Sequence, residues 1–330
     1  MDPNVGRRKC LAVLGGALVW PLAARAQQDG RVRRIGILTR GVETVRAVQA
    51  QLAAVREGLA QRGWTEGRNV RFDSRLYDDD PQTLRSHAQE LVRLAPDCIV
   101  AGSQPSILAL LQETRTIPIV FHNVGDPVEG GILKNIARPE GNVTGATSNY
   151  HSIAGKWLEL LKEAAPRTSR VALIFVPGIV TENYFAVIDA AAAALGVKVV
   201  QLPYRNSAEL ERAIDTFAFQ PNGGFVLVPP PPRGAGRELI YRLALKHRLP
   251  GIAANSYDSA DTVMMSYGGD SVEPARIAAS YVDRILRGAK VSELPVQFPS
   301  KFELVINLKI AKAIGLDIPA TLTARADELK

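Results

Sequence analysis

The sequence predicts an α/β protein with two lobes, each built on a mostly parallel β-sheet. Apolar, β-rich runs alternate with segments of helical periodicity in the order βαβαβαβ up to Gly145, which implies a parallel sheet with right-handed crossovers. The same alternation begins again after Gly145, and no Ser/Gly-rich linker separates the two units. Two such units are expected to face each other across a cleft, where ligand pockets commonly form.

The first unit is predicted from apolar spacing and from breaker residues. Residues 33–39 form an apolar strand, and residues 43–62 have the 3.6-residue spacing of an amphipathic helix that ends at Gly63. Asp80-Pro81 is typical of a helix start. The elements expected after residue 63 are strand 70–77, helix 81–94, strand 98–102, helix 103–114 and strand 117–121.

The second unit and the C-terminal tail follow the same rules. Their expected elements are helix 152–164, strand 170–176, helix 181–195, strand 197–202, helix 207–219, strand 224–228, helix 236–247, strand 251–254, strand 263–267, helix 272–286 and strand 302–308. Because the tail does not simply extend the second lobe, we expect the chain to cross between the lobes near Asn149, Ser256 and Pro295. The expected lobes are 31–148 plus 258–292, and 149–257 plus 293–330.

The first 26 residues are predicted to be a signal peptide. Residues 7–9 are basic, residues 11–20 are apolar, and Ala24-Arg25-Ala26 has the small-x-small pattern of a cleavage site. Ten apolar residues are too few for a membrane span, which needs roughly 20. We therefore expect export to the periplasm. The Arg7-Arg8 pair fits a twin-arginine signal, and a Sec signal with a basic end fits equally well.

Composition excludes several classes of protein. The chain has 330 residues with 46% hydrophobic and 22% charged residues, which is typical of a globular protein. Removal of the signal peptide leaves a formal charge of +4, too mild for a nucleic-acid partner. It also leaves Cys98 as the only cysteine, so we expect neither a disulfide nor a cysteine metal site. No GxSxG, HExxH, P-loop or CxxC motif is present. We expect no enzyme, no cofactor and no metal.

The stretch 117–145 carries the strongest signal for a ligand site. An apolar run ends at His122-Asn123 and is followed by Gly125-Asp126-Pro127, a short segment expected to be helical, and a second extended piece at Val143. In open parallel sheets, ligands bind in the crevice beyond the carboxyl ends of the strands. Asn123 to Asp126 are therefore expected to face that crevice.

Five residues of the first lobe are candidate ligand contacts. Ser103 and Gln104 open a helix whose N-terminus suits a carboxylate, although Ser103 also fits a simple N-cap. Asp126 fits either a partner for a ligand ammonium or a cap of the next turn, and Asn123 offers an amide. Arg40 fits a bidentate carboxylate clamp or a solvated loop arginine.

Three tyrosines are further candidate contacts. Tyr150, Tyr257 and Tyr267 lie at expected hinge or strand ends, where aromatic rings can sandwich the apolar part of a ligand. His122 is interpreted as a core histidine at a strand end.

These residues carry a family resemblance. The matching segments are WPLAARAQ at the cleavage site, GDPV at 125–128, GNVTG at 141–145, SYG at 266–268 and the whole block 285–328. The chain resembles ABC-transporter substrate-binding proteins of the type I periplasmic-binding fold, in the group related to tryptophan-binding lipoproteins. It departs from that group at 177–180 and at the four prolines 229–232, both expected to face the cleft.

The resemblance implies two Rossmann-like lobes joined by a multi-crossing hinge, with a small organic solute held between them. It also implies a monomer that delivers the solute to ABC permease subunits in the inner membrane, without bond chemistry. Some members bind aromatic amino acids. The alternative is an exported sensor that reports to a signalling receptor. A repressor on the same lobes would need a DNA-binding segment where the signal peptide stands.

Overall fold

The computed structural model describes nine segments of the chain. They are residues 31–41, 46–78, 80–147, 151–177, 182–228, 235–254, 263–270, 272–298 and 300–330. The expected signal peptide, Tyr150, Tyr257 and the expected crossings at Asn149 and Ser256 lie outside these segments. Within them, no helix is both long and apolar enough to cross a membrane.

The first lobe is built on five parallel strands. They are β1 (Arg33–Arg40), β2 (Val70–Tyr77), β3 (Cys98–Ala101), β4 (Ile119–Val124) and β5 (Val143–Thr147), in the order β2-β1-β3-β4-β5. The helices between them are α1 (Arg46–Ala60), α2 (Pro81–Arg93) and α3 (Gln104–Glu113). Since every paired strand is parallel, all five carboxyl ends lie at one edge.

Side chains of these strands alternate between two buried faces. Ile37 and Val100 pack on the face covered by α1, whereas Ile99 and Phe121 pack on the face covered by α2 and α3. Both faces are covered, which explains why the central strand β3 and the first half of β4 are continuous apolar runs rather than alternating ones.

The second lobe is built on a seven-stranded sheet. Its strands are β6 (Arg170–Phe175), β7 (Lys198–Pro203), β8 (Gly223–Leu227), β9 (Gly251–Ala253), β10 (Met265–Gly269), β11 (Phe302–Ile306) and β12 (Glu328–Leu329), in the order β12-β11-β10-β9-β8-β6-β7. Its helices are α4 (Ala154–Ala164), α5 (Glu182–Leu195), α6 (Ser207–Ala218) and α7 (Ala235–His247). Helix α8 (Glu273–Leu286) belongs to the first lobe, and α9 (Leu308–Ala313) and α10 (Ala320–Thr323) complete the second. Only the β10–β11 pair is antiparallel among the paired strands described.

Helix α8 (Glu273–Leu286) follows β10 but packs on the first sheet. Its residues Ala275, Ala278 and Val282 share a buried cluster with Val120 of β4. Trp64 Nε1 donates to Asp283 Oδ1 at 2.8 Å, which fastens the helix to the loop after α1. The chain therefore passes from the second sheet to the first lobe between residues 269 and 273. The crossing expected near Ser256 is thus placed too early, because β9 and β10 on either side of it pair in the second sheet.

The placement of β10 corrects one expected lobe boundary. Residues 258–292 were expected in the first lobe, but β10 pairs with β9 and β11 in the second sheet. Leu294 and Val296 are buried with first-lobe residues, so the range 293–330 also begins too early for the second lobe. A buried strand pattern does not show which sheet a strand joins. The lobe ranges as a whole stay a prediction.

The segment after β4 also differs from expectation. Residues 126–131 form hydrogen-bonded turns instead of the expected short helix: Gly131 N donates to Val128 O, and Ile132 N donates to Pro127 O. Gly131 has φ +70°, a left-handed conformation that ends a helical turn at once.

Gly145 lies where the backbones of β4 and β5 approach each other closely, and a substitution there tests this close approach. A Cβ at Gly145 would lie 2.1 Å from Phe121 O, which is backbone and cannot move aside cheaply. We expect Gly145→Ala to lower the free energy of unfolding by about 1–3 kcal/mol, measured from urea unfolding. Gly125→Ala is the control, because a Cβ there meets nothing within 4 Å. Equal urea midpoints for both variants would contradict the close approach.

Candidate functional site

The carboxyl edge of the first sheet collects the predicted first-lobe residues. Arg40 pairs in register with Tyr77 at the ends of β1 and β2. Ser103 follows β3 by two residues, Asn123 lies near the end of β4, and Asp126 follows in the next turn. Residues far apart in sequence therefore lie along one edge, as expected from the parallel order.

Ser103 is the centre of a hydroxyl cluster. Its extended backbone makes it the N-cap of α3, and its Oγ accepts from Ser106 N at 3.3 Å. Its Oγ also lies 2.8 Å from Tyr77 Oη and 2.7 Å from Ser106 Oγ. The expected N-cap is thus confirmed, and a donor group stands at the start of α3.

Tyr77 and Ser106 were not predicted. Tyr77 is 5% exposed and Ser106 is fully buried. Ser106 had a usable signal, since residues three apart share one face of a helix. Tyr77 comes from another strand, so its contact with Ser103 follows only from the sheet order.

Gln104 has a structural partner. Its Nε2 donates to Gly130 O at 3.2 Å, which joins the first turn of α3 to the turn after β4. The side-chain amide N–H₂ of Gln104 therefore donates a hydrogen bond within the protein. A ligand contact by Gln104 stays a prediction.

Asn123 lies in an irregular part of β4. Its φ is +58°, in the left-handed region that Asn tolerates better than most residues, and the β4–β5 register shifts between Phe121 and Val124. Its side chain is half-buried. Such bulges redirect side chains at strand ends, and strained backbone is concentrated at functional sites.

Asp126 serves as a turn cap and also reaches the second lobe. Its Oδ1 accepts from Val128 N at 2.8 Å and Glu129 N at 3.2 Å, as the capping interpretation predicts. Its Oδ2 lies 3.5 Å from His151 Nδ1. The side-chain atoms of Asp126, Glu129 and His151 that could bind a metal ion all lie within 4.8 Å of one another. Because Asp126 Oδ1 is committed to the backbone, we interpret this cluster as a contact between lobes and not as a closed metal site.

Aromatic rings of the second lobe lie behind His151. Tyr184 stacks on Trp157 with 6.2 Å between centroids, and His151 meets Tyr184 edge-on at 6.3 Å. Burial raises the pKa of the Tyr184 hydroxyl, and the charges of Asp126 and Glu129 raise it further. The aromatic layer thus faces the acidic turn of the first lobe.

Of the three candidate tyrosines, Tyr267 is the one within the described segments. Its ring is half-buried and stacks on Phe302, with 5.8 Å between centroids. Trp157 Nε1 donates to Tyr267 O at 2.8 Å, which ties β10 to the aromatic layer. A ligand contact by Tyr267 stays a prediction, as it does for Arg40, Tyr150 and Tyr257.

His122 is buried in β4, near the carboxyl edge of the first sheet. Its side chain is 2% exposed, and within the described segments its Nδ1 has no hydrogen-bond partner. Its Cε1 would lie 3.3 Å from a Cβ on Gly102, and Thr39 Oγ1 would lie only 2.1 Å away. Burial lowers the pKa of His122 to about 4, so the imidazole is neutral near pH 7.

This burial predicts a pH dependence of stability. Between pH 6.5 and about 4 the unfolded chain protonates His122 while the folded protein does not, so the free energy of unfolding falls as pH falls. Over this pH range the free energy of unfolding falls by about 3 kcal/mol in total through His122. We expect His122→Asn to lose this component in urea unfolding at pH 4 to 7. His247→Asn, which removes a partner of Asp215, should retain it. Equal pH slopes for the protein and His122→Asn would contradict the assignment.

Comparison with known proteins identifies the family. The model of the ABC transporter substrate-binding protein family matches residues 43–330. The chain belongs to this family. The expected family and the expectation that the protein is not an enzyme are thereby confirmed, because the family is one of solute-binding proteins.

Relatives of known structure confirm the two-lobed fold. A conserved domain protein of Vibrio cholerae is 27% identical with a TM-score of 0.79, covering 91% of this chain and 100% of that one. An ABC domain from Streptococcus pneumonia in complex with L-Trp is 20% identical with a TM-score of 0.78, covering 90% and 99%. In sequence, the chain is 28% identical over 269 residues to a tyrosine-binding protein of Clostridioides difficile, covering 79% of this chain and 75% of the relative.

Proposed function

We propose that this substrate-binding protein is the exported solute receptor of an ABC import system and that it binds an aromatic amino acid between its lobes. The observation that carries the proposal is that the two lobes present different surfaces, one with hydroxyl groups and one with aromatic rings. The first lobe offers the hydroxyl cluster of Ser103 at the start of α3. The second offers an aromatic layer in which Tyr184 is 7% exposed and Trp157 is fully buried behind it. The relative named as a tyrosine-binding protein supports this solute class.

Each surface suits one part of such a solute. The positive end of the α3 dipole and the Ser103 hydroxyl suit a carboxylate. Asn123, whose half-buried amide follows the bulge in β4, offers a further polar contact. The aromatic layer suits a ring, because aromatic pairs gain from stacked and edge-on contact in addition to burial.

The expected multi-crossing hinge supports closure of the lobes around the solute. A solute that contacts both lobes has higher affinity for the closed state and shifts the protein towards it. Asp126 Oδ2 of the first lobe and His151 Nδ1 of the second already lie 3.5 Å apart, so this contact can contribute to the closed state. The closed state would be presented to permease subunits in the inner membrane. The expected signal peptide, residues 1–26, supports a periplasmic location.

The solute class is tested by thermal unfolding of protein that has been denatured and refolded to remove any co-purified ligand. We expect L-tyrosine or L-tryptophan to raise the stability by RT ln(1 + [L]/Kd), about 2.7 kcal/mol at a hundredfold excess over Kd. Sugars, purines and aliphatic amino acids complete the panel. A shift with sugars alone, or with none of these solutes, would contradict the proposal.

The site is tested by removing single polar groups. Ser103→Ala and Asn123→Ala should each weaken binding of the responding amino acid by about tenfold or more, because a hydrogen bond to a charged group contributes about 1.5–3 kcal/mol. Isothermal titration calorimetry measures the change. Ser280→Ala is the control, since its Oγ donates to Ile277 O within α8, away from the strand ends. Unchanged affinity in both site variants would contradict the site.

A further inference from the structure

We infer that Tyr77 is a positioning residue that fixes Ser103 as a hydrogen-bond donor, so that the site selects a carboxylate over a carboxamide. The inference rests on the proposed function, because it concerns the carboxylate end of the same solute. It goes further by assigning a role to a residue that is buried beneath the site.

The first step is a count of the hydrogen bonds at Ser103 Oγ. A hydroxyl has one hydrogen to donate and two lone pairs to accept. Ser106 N is a backbone N–H and can only donate, so its 3.3 Å contact occupies one lone pair. One lone pair and one hydrogen remain for the two neighbouring hydroxyls and the solute.

The second step concerns Tyr77 Oη, which lies 2.8 Å from Ser103 Oγ and 3.4 Å from Ser106 Oγ. Ser106 Oγ lies 2.7 Å from Ser103 Oγ, so the three hydroxyls form a closed ring. In a ring each hydroxyl donates to the next and accepts from the one before. Ser106 donates to Tyr77, Tyr77 donates to Ser103, and Ser103 donates to Ser106.

The third step follows when a solute arrives. Ser103 can turn its hydrogen from Ser106 to a solute oxygen while Tyr77 and Ser106 N still donate to its two lone pairs. With both lone pairs occupied, Ser103 cannot accept a hydrogen bond from the solute. A carboxylate presents only acceptors, whereas a carboxamide also presents an N–H₂ donor that Ser103 cannot receive.

The burial of Tyr77 and Ser106 favours this direction of the hydrogen bonds. Tyr77 is 5% exposed and Ser106 is fully buried, so water does not readily replace either partner. Tyr77 is also the last residue of β2, paired with Arg40 of β1, so its ring is held by the sheet. Removing only its hydroxyl should leave the ring packing intact while freeing one lone pair of Ser103.

The test compares L-tyrosine and L-tryptophan, each with its own carboxamide, in the refolded full-length protein. We expect the protein to prefer the acid, and Tyr77→Phe to weaken binding of the acid by about tenfold while changing the affinity for the amide less. The acid-to-amide ratio of affinities should therefore fall. In a Ser103→Ala background, Tyr77→Phe should have little further effect on the acid, which a double-mutant cycle measures.

Tyr204→Phe is the matched control. Tyr204 follows the edge strand β7, and its buried Oη has no hydrogen-bond partner in the segments that the structure describes. Both affinities should be unchanged in this variant. Thermal unfolding of each variant separates lost folding from lost binding.

The outcomes separate the two proposals. If the protein binds the acid but Tyr77→Phe keeps both its affinity and its acid-to-amide ratio, the positioning role of Tyr77 is wrong and the proposed function stands. If Tyr77→Phe weakens acid and amide equally, its role is structural and the inference is also wrong. If the unaltered protein binds none of these compounds, the proposed function fails and the inference fails with it.

Discussion

The parallel register of the first sheet is the constraint on which the candidate site depends. Because β1 to β5 run in one direction, their carboxyl ends meet at one edge and bring together side chains that are distant in sequence. Tyr77 reaches Ser103 only because β2 and β3 flank β1. The Thr39 side chain at Gly102 and the Phe121 backbone at Gly145 leave no room for a Cβ at either glycine near these strand ends.

In the proposed function, polar groups of the first lobe and aromatic side chains of the second lobe share the recognition of the solute. Ser103 is held by the N-cap geometry of α3, and Tyr77 is held by the register of β2. On the other side, Trp157 is tied to β10 through Tyr267 O and stacks on Tyr184. Groups held in place before binding lose less conformational entropy when a solute arrives, which raises affinity without new contacts.

The sequence predicted elements well where local pattern decides, and poorly where distant pairing decides. Strand 70–77 matches β2 because its residues alternate as in a strand, and Ser103 is an N-cap as its position before Pro105 indicates. The sheet that β10 joins, and the contact between Tyr77 and Ser103, depend on strand order that periodicity does not contain. The turn at 126–131 was mistaken for a helix because Asp126 caps either structure.

Asp126 shows how one carboxylate can serve both the fold and the cleft. Its Oδ1 is occupied by the backbone of its own turn, which orients the side chain and leaves Oδ2 directed at His151 of the other lobe. A side chain already oriented by its own turn loses little further entropy when its partner approaches. In the proposed function, this turn would need no rearrangement for hinge closure. The preference of a solute for the closed state would then come from the contacts that closure completes.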